Sequence, residues 1–254
     1  MNTENGATKA LFSLTISEGK RLIGKAVATL PIVRTARQEG RLIIANGITN
    51  AFVAEELLDR PVQKLHYTAG IVTQGHYAVT PSETRMSPIC FENGERSTRP
   101  WLEILADFTK DDVFIKGANA IDPSGLAGVL VGAPNGGTCG LALGKLYARG
   151  SHLIVPVSRE KLVPSVEAAM GQLGIDNFAD SLGMPCGMVP LLGGTIITEV
   201  EALAILFEVQ AVQVSAGGVG GSEGSVGLAI SGSKEKVANA MTYIKGIKGE
   251  PPIL

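Results

Sequence analysis

The stretch that most constrains the fold runs from Asp111 to Pro156, DDVFIKGANAIDPSGLAGVLVGAPNGGTCGLALGKLYARGSHLIVP. It reads as strand, polar loop, strand, glycine turn, helix and strand. Val113 to Ile115 form a short apolar run, and Gly117-Ala118-Asn119-Ala120-Ile121-Asp122 follow, so small and polar side chains emerge where a buried strand ends. Open α/β sheets bind ligands at that edge. Asn135-Gly136-Gly137-Thr138 then opens a helix, and a glycine-rich strand-to-helix turn leaves backbone N–H groups free to meet a phosphate or carboxylate.

The rest of the chain continues the alternation. Ser17-Glu18 reads as the cap and first turn of a helix through Leu30, and Pro31 starts a second helix that Gly40 ends. Arg41 to Ala45 is a strand entering Asn46-Gly47-Ile48-Thr49-Asn50, and AFVAEELL is the helix after it. Candidate strands lie near Leu65–Val72 and Ile89–Phe91, with a turn at Asn93-Gly94. Trp101 to Phe108, Thr138 to Ala148 and a segment after Glu160 that includes Leu162, Val163 and Val166 read as helices, and Leu153 to Val157 as a strand. Repeated βα units imply a mostly parallel, open, Rossmann-like sheet.

The composition changes at GIDNFADSLGMPCGMVPLLGG, rich in Gly and Pro as a connection would be. Beyond it the pattern restarts: strand at Thr195–Ile197, helix at Glu199–Phe207, strand at Val209–Val214, the turn AGGVGGSEG, strand at Ser225–Ile230 and helix at Lys234–Ile244. That order suits a ferredoxin-like α+β unit of ~60 residues. The reading is therefore an α/β domain over 1–183 and a small domain over 184–254.

Composition narrows the function classes. The formal net charge is -2, with acids and bases intermixed along 254 residues, which argues against nucleic acid as a partner. No uncharged run reaches the ~18 residues that span a bilayer, so no membrane segment is expected. Cys90, Cys139 and Cys186 lie far apart and the three histidines show no ligand spacing, so neither metal nor disulfide framework is expected, and a cytoplasmic location follows by default. A GxGxxG fingerprint is missing, and no cofactor is expected. Apolar faces such as that of residues 196–214 favour a homo-oligomer.

ANGITNAFVAEELL resembles the G-[ST]-T-x-x-x-x-A-x-x-L turn and helix of the superfamily that contains ribose-5-phosphate isomerase, glucosamine-6-phosphate deaminase and the acyl-CoA transferases. DDVFIKGANAID and NGGTCGLALGKLYARGSHLIVPVSREKL resemble its D-x-x-x-x-G-A-D-x-[IV] loop, glycine turn, helix and next strand, so the similarity covers roughly residues 40–165. The same layout occurs in regulatory subunits of translation-initiation exchange factors and in effector domains of bacterial repressors. The resemblance implies a small anionic ligand, a phosphorylated sugar or related metabolite, at the strand edge. It implies either an isomerase-like enzyme with atypical catalytic residues or a metabolite-sensing protein.

Departures from the pattern bear on the chemistry. Where the isomerases carry G-A-D-E, this chain has Gly117-Ala118-Asn119-Ala120, and an amide cannot take a proton from carbon. Asp122 is either a displaced general base or the cap of a turn before Pro123. Lys116 neutralises a phosphate at the mouth of the sheet or is simply solvated. Asn46, Gly47, Thr49 and Asn50 hold an anion or form a tight turn with Asn50 as helix cap. Asn135, Gly136, Gly137 and Thr138 supply the second such turn, with Asn119 beside it. Cys139 reads as a buried small residue or as a thiolate favoured by the helix N-terminus. Glu223, in the chain's densest glycine run, stands in for the missing carboxylate or sits in a flexible hairpin. An acyl-CoA transferase would need a glutamate on a glycine loop, which only Glu223 offers.

Overall fold

A computed structural model describes residues 7–253. Its strands and helices are, in chain order, β1 (Thr8–Leu14), α1 (Ile16–Thr29), α2 (Pro31–Glu39), β2 (Arg41–Ile44), α3 (Ile48–Leu58), β3 (Gly70–Thr73), β4 (His76–Val79), β5 (Ile89–Glu92), β6 (Glu95–Ser97), α4 (Trp101–Ala106), β7 (Val113–Ile115), β8 (Ala120–Ile121), β9 (Ala127–Val131), α5 (Gly137–Arg149), β10 (His152–Pro156), α6 (Val166–Gln172), β11 (Gly187–Pro190), β12 (Thr195–Ile197), α7 (Glu199–Phe207), β13 (Gln210–Ala216), β14 (Val226–Gly232) and α8 (Lys234–Gly246).

The organising element is a six-stranded mixed sheet in the order β12-β10-β7-β2-β5-β6. The first four strands run parallel; β5 is antiparallel to β2, and β6 is antiparallel to β5. Strands β2, β7 and β10 are almost wholly buried and rich in Ile, Val and Leu, because a parallel strand covered on both faces has no solvent side. Alternation sends Leu42, Ile44, Val113, Ile115 and Ile154 into one core beneath α1, α3 and α7. Ile43, Phe114, Leu153 and Val155 go to a second core beneath α4 and α5. The sheet is thus the middle layer between two helical layers.

A three-stranded antiparallel sheet, β1-β14-β13, packs with α7 and α8 against the first of these cores. Here the structure corrects the sequence reading. The third strand is Thr8–Leu14 from the N-terminal segment, paired in register from Thr8↔Gly232 to Leu14↔Val226. Thr195–Ile197, expected to open the small unit, is instead the edge strand of the large sheet beside Ile154–Pro156. The glycine- and proline-rich connection holds β11, which pairs with β9. A cut near Gly183 would therefore sever three strand pairings, β1–β14, β9–β11 and β10–β12, and Leu14, Ile197, Leu203, Leu228 and Ile244 share one core with Leu22 and Ile44.

Local signals explain other boundary shifts. Thr15, not Ser17, caps α1, because Thr15 and Glu18 form a reciprocal capping box. Helix α3 begins at Ile48 with Gly47 as its cap, which places Asn50 inside the first turn rather than at the cap. The segment after β10 forms a short 3-10 turn at Arg159–Lys161, and α6 starts only at Val166, because Pro164 disfavours helix at Val163 and the Ser165 side chain accepts from the Ala168 N–H. Asn93-Gly94 turns the β5–β6 hairpin with φ of 49° and 93°. No helix among the described residues is long and apolar enough to cross a membrane.

Candidate functional site

Because β2, β7, β10 and β12 are parallel, the loops that leave them emerge at one edge. Those loops carry Asn46-Gly47, Lys116-Gly117-Ala118, Ser158-Arg159-Glu160-Lys161 and Thr198-Glu199. Helix α1 adds Lys20, whose Nζ lies 2.5 Å from Glu160 Oε1. Gly19 lies against Glu199: a Cβ there would come within 2.7 Å of Glu199 Oε1, so only glycine lets the helix approach this closely.

The edge holds more positive than negative charge. Lys20 is paired with Glu160. Lys116 Nζ donates only to the Gly117 carbonyl, at 2.9 Å, and Lys161 Nζ only to the Ala118 carbonyl, at 2.8 Å. Among the described residues neither lysine has a carboxylate within ion-pair distance. Burial pushes the Lys116 amine down from the usual lysine range, with the nearby Cys139 sulfur acting the other way. Burial, together with the charges of Lys20 and Lys116, lowers Lys161 to about 8 against the opposing pull of Glu160 and Glu199. Both lysines keep part of their surface accessible.

Glu199 is wholly buried. Its Oε1 accepts from Ser158 Oγ at 2.5 Å and its Oε2 from the Arg159 N–H at 2.9 Å. Burial nonetheless raises its carboxyl above the usual range, so it holds a proton more readily than an exposed glutamate. Asn50 is 0 % exposed and anchors the floor, with Nδ2 donating to the carbonyls of Ala45 and Ile115. Its Oδ1 has no partner and lies 3.2 Å from where a Cβ on Gly117 would stand. Asn50 Oδ1 is thus a buried acceptor without a hydrogen-bond partner, next to the backbone of Gly117.

The sequence-predicted residues divide between this edge and elsewhere. Lys116, Gly117 and Asn50 are in it. Gly47 spends its N–H on the Tyr67 carbonyl and Asn46 donates its amide to the Met86 carbonyl, so this turn is committed to the fold, while Thr49 is buried in the first turn of α3. In the second turn Gly136 and Gly137 adopt φ of 73° and 54°; their N–H groups go to the Ala133 carbonyl and to Asn135 Oδ1. That leaves the N–H groups of Thr138 and Cys139, in the first turn of a 13-residue helix, without intrahelical partners. Cys139 acts electrostatically on Lys116, so the start of α5 lies on the Lys116 side of the edge. Burial raises the Cys139 thiol, as suits a packed side chain.

Asp122 is a structural carboxylate. Its Oδ1 accepts from Ser124 Oγ and from the N–H groups of Ser124 and Leu126, and its Oδ2 from the Val166 N–H. Ser124 first, then these N–H groups, hold its pKa below the usual range, which weakens it as a base and favours its reading as the cap of the turn before Pro123. Asn119 is exposed and its Oδ1 accepts from the Leu130 N–H, tying the loop to β9. Glu223 is exposed and accepts from Gly221 in its own hairpin. It is the following residue that meets the site: a Cβ on Gly224 would lie 3.5 Å from Glu160 Oε2, and Gln213 Oε1 accepts from Arg159 Nε at 2.7 Å.

Lys20, Glu160, Lys161 and Glu199 escaped sequence reasoning. The usable signal was the charged run Arg159-Glu160-Lys161 directly after a buried strand. Among the described residues no three His, Cys, Asp or Glu side chains are grouped to hold a metal. No protein-family model, no curated protein and no solved structure matches the chain.

Proposed function

We propose that the edge defined by Lys116, Lys161 and the first turn of α5 binds a small anionic metabolite, a phosphorylated sugar or a related compound. One observation carries the reading: two half-buried lysines, each bonded only to a backbone carbonyl, share the C-terminal edge of four parallel strands. Holding unneutralised cations out of water is costly unless an anion completes the site. The Thr138 and Cys139 N–H groups add helix-terminus donors. The proposal keeps a Rossmann-like character for the parallel strands and a ferredoxin-like kinship for the small sheet with its two helices. Self-association belongs to it as well, through the exposed Leu11 and Val212, which flank the half-buried Ala229 on the outer face of that sheet.

A second reading, a sensing protein that binds without turnover, is favoured by the saturation of Asp122, which removes the carboxylate best placed in sequence to abstract a proton from carbon. A thermal-shift screen with sugar phosphates, nucleotides, acyl-CoAs and inorganic phosphate tests the site. A ligand at 100 times its Kd adds about 2.7 kcal/mol of stability, and that gain should vanish in Lys116→Met. A gain that survives in Lys116→Met places the anion elsewhere; no gain with any anion sinks the proposal.

A further inference from the structure

Lys161 is not the usual anion-binding lysine. Its ammonium has three N–H donors to satisfy and, among the described residues, one acceptor, the Ala118 carbonyl. It sits among two other lysines, Lys20 and Lys116, and two glutamates, of which Glu160 is already engaged by Lys20 and Glu199 is bonded to Ser158 and Arg159. The amine is held in place by its backbone: the Lys161 N–H donates to the Ser158 carbonyl, and the following Val163 N–H donates to Ile121, which straps the loop to β8.

We infer that Lys161 is an amine nucleophile that forms an imine with an aldehyde or ketone carbonyl on the anionic ligand, while Lys116 and the first turn of α5 hold its acidic group. The inference rests on the anion-site reading and adds a substrate class to it: a small phosphorylated or carboxylated carbonyl compound. The neutral amine attacks the carbonyl carbon, a C–N bond forms, and the C=O π pair moves to oxygen, which takes a proton. That oxygen takes a second proton from solvent and leaves as water, while nitrogen gives up its two protons to solvent as the C=N bond forms. Amine plus carbonyl gives imine plus water, and nothing is oxidised or reduced. The surroundings favour the neutral amine: burial, Lys20 and Lys116 lower it to about 8 while Glu160 and Glu199 oppose them.

The test uses the wild-type chain, so it does not depend on a variant folding. Glycolaldehyde phosphate is added with sodium borohydride, which reduces an imine to a stable secondary amine, and the modified lysines are mapped by peptide mass spectrometry. The expected result is one dominant adduct on Lys161, competed by inorganic phosphate, with a yield that rises about tenfold from pH 7 to pH 9 as an amine titrating near 8 becomes neutral. Lys161→Arg, which keeps a positive charge but cannot form the imine, should lose the adduct. Adducts spread evenly over exposed lysines, with phosphate still stabilising the wild type, would overturn the imine and leave the anion site standing. Absence of both the Lys161 adduct and the phosphate effect would overturn the two together.

Discussion

The two edges of the central sheet carry the same kinds of residue and treat them in opposite ways. At the edge where the parallel strands begin, Asp112 is buried but fully engaged: its Oδ1 accepts from the Arg41 N–H, its Oδ2 from the Thr109 N–H and hydroxyl, and the Arg41 guanidinium stands 3.5 Å away. At the edge where they end, Lys116 and Lys161 meet only carbonyls, and Asn50 Oδ1 meets nothing. A carboxylate with every lone pair occupied stabilises the fold. A cation left without its counter-charge destabilises it. One edge holds the molecule together and the other carries charge that the fold leaves uncompensated.

The sharpest way to break this contrast is to remove one group from each edge. Asp112→Ala removes the buried acceptor of the Arg41 and Thr109 N–H groups and should lower stability by about 2 kcal/mol, read as a shift in the urea midpoint, with the anion response otherwise intact. Lys116→Met should do the reverse. The unliganded protein should gain on the order of 1 kcal/mol because a poorly compensated cation is gone, while affinity for the stabilising anion falls roughly tenfold or more. Equal destabilisation by the two substitutions would mean that the edges do not differ.

Titration sharpens the same comparison. Lys161 drops from the ordinary 10.5 to about 8 in the folded state, so between those values the unfolded chain binds more protons than the folded one. Stability must then rise with pH across that window, and the cost of burying the charged amine is fully present below about pH 8. Urea midpoints of the wild type and Lys161→Met should therefore differ most near pH 7, with the variant the more stable, and converge toward pH 10. A gap that stays constant across this range would show that the amine is not perturbed.

How much of this was legible follows from sequence separation. The βα units over 41–58 and 111–156 rest on local periodicity and turn chemistry, and β2, α3, β7, α5 and β10 lie within a few residues of where the pattern puts them. Strand β1 was missed because TKALFSL has no local partner: what makes it a strand is β14, more than two hundred residues away in the chain. The site failed for the same reason. Lys116 announces itself at a strand end, whereas the ion pair of Lys20 with Glu160 spans 140 residues and the bond of Ser158 to Glu199 spans 41. Glu199 also reads as an ordinary first-turn acid, since the capping box of Thr198 and Glu201 explains the local sequence without it.

The smallest expected effect separates what a glycine loop contributes from what its one acid contributes. Glu223 is exposed and bonded within its own hairpin, so Glu223→Gln should leave anion affinity within about twofold of wild type, well under the 1.4 kcal/mol that a tenfold change represents. Gly224 is different: its φ of 75° and its approach to Ile16 and Glu160 leave no room for a side chain. Gly224→Ala should push the hairpin off α1, disturb the Lys20–Glu160 pair and weaken anion binding in the same thermal-shift assay. If Glu223→Gln were the more damaging of the two, a carboxylate and not a close-packed backbone would be what the hairpin brings, and the edge would hold an acid that its present geometry keeps outside.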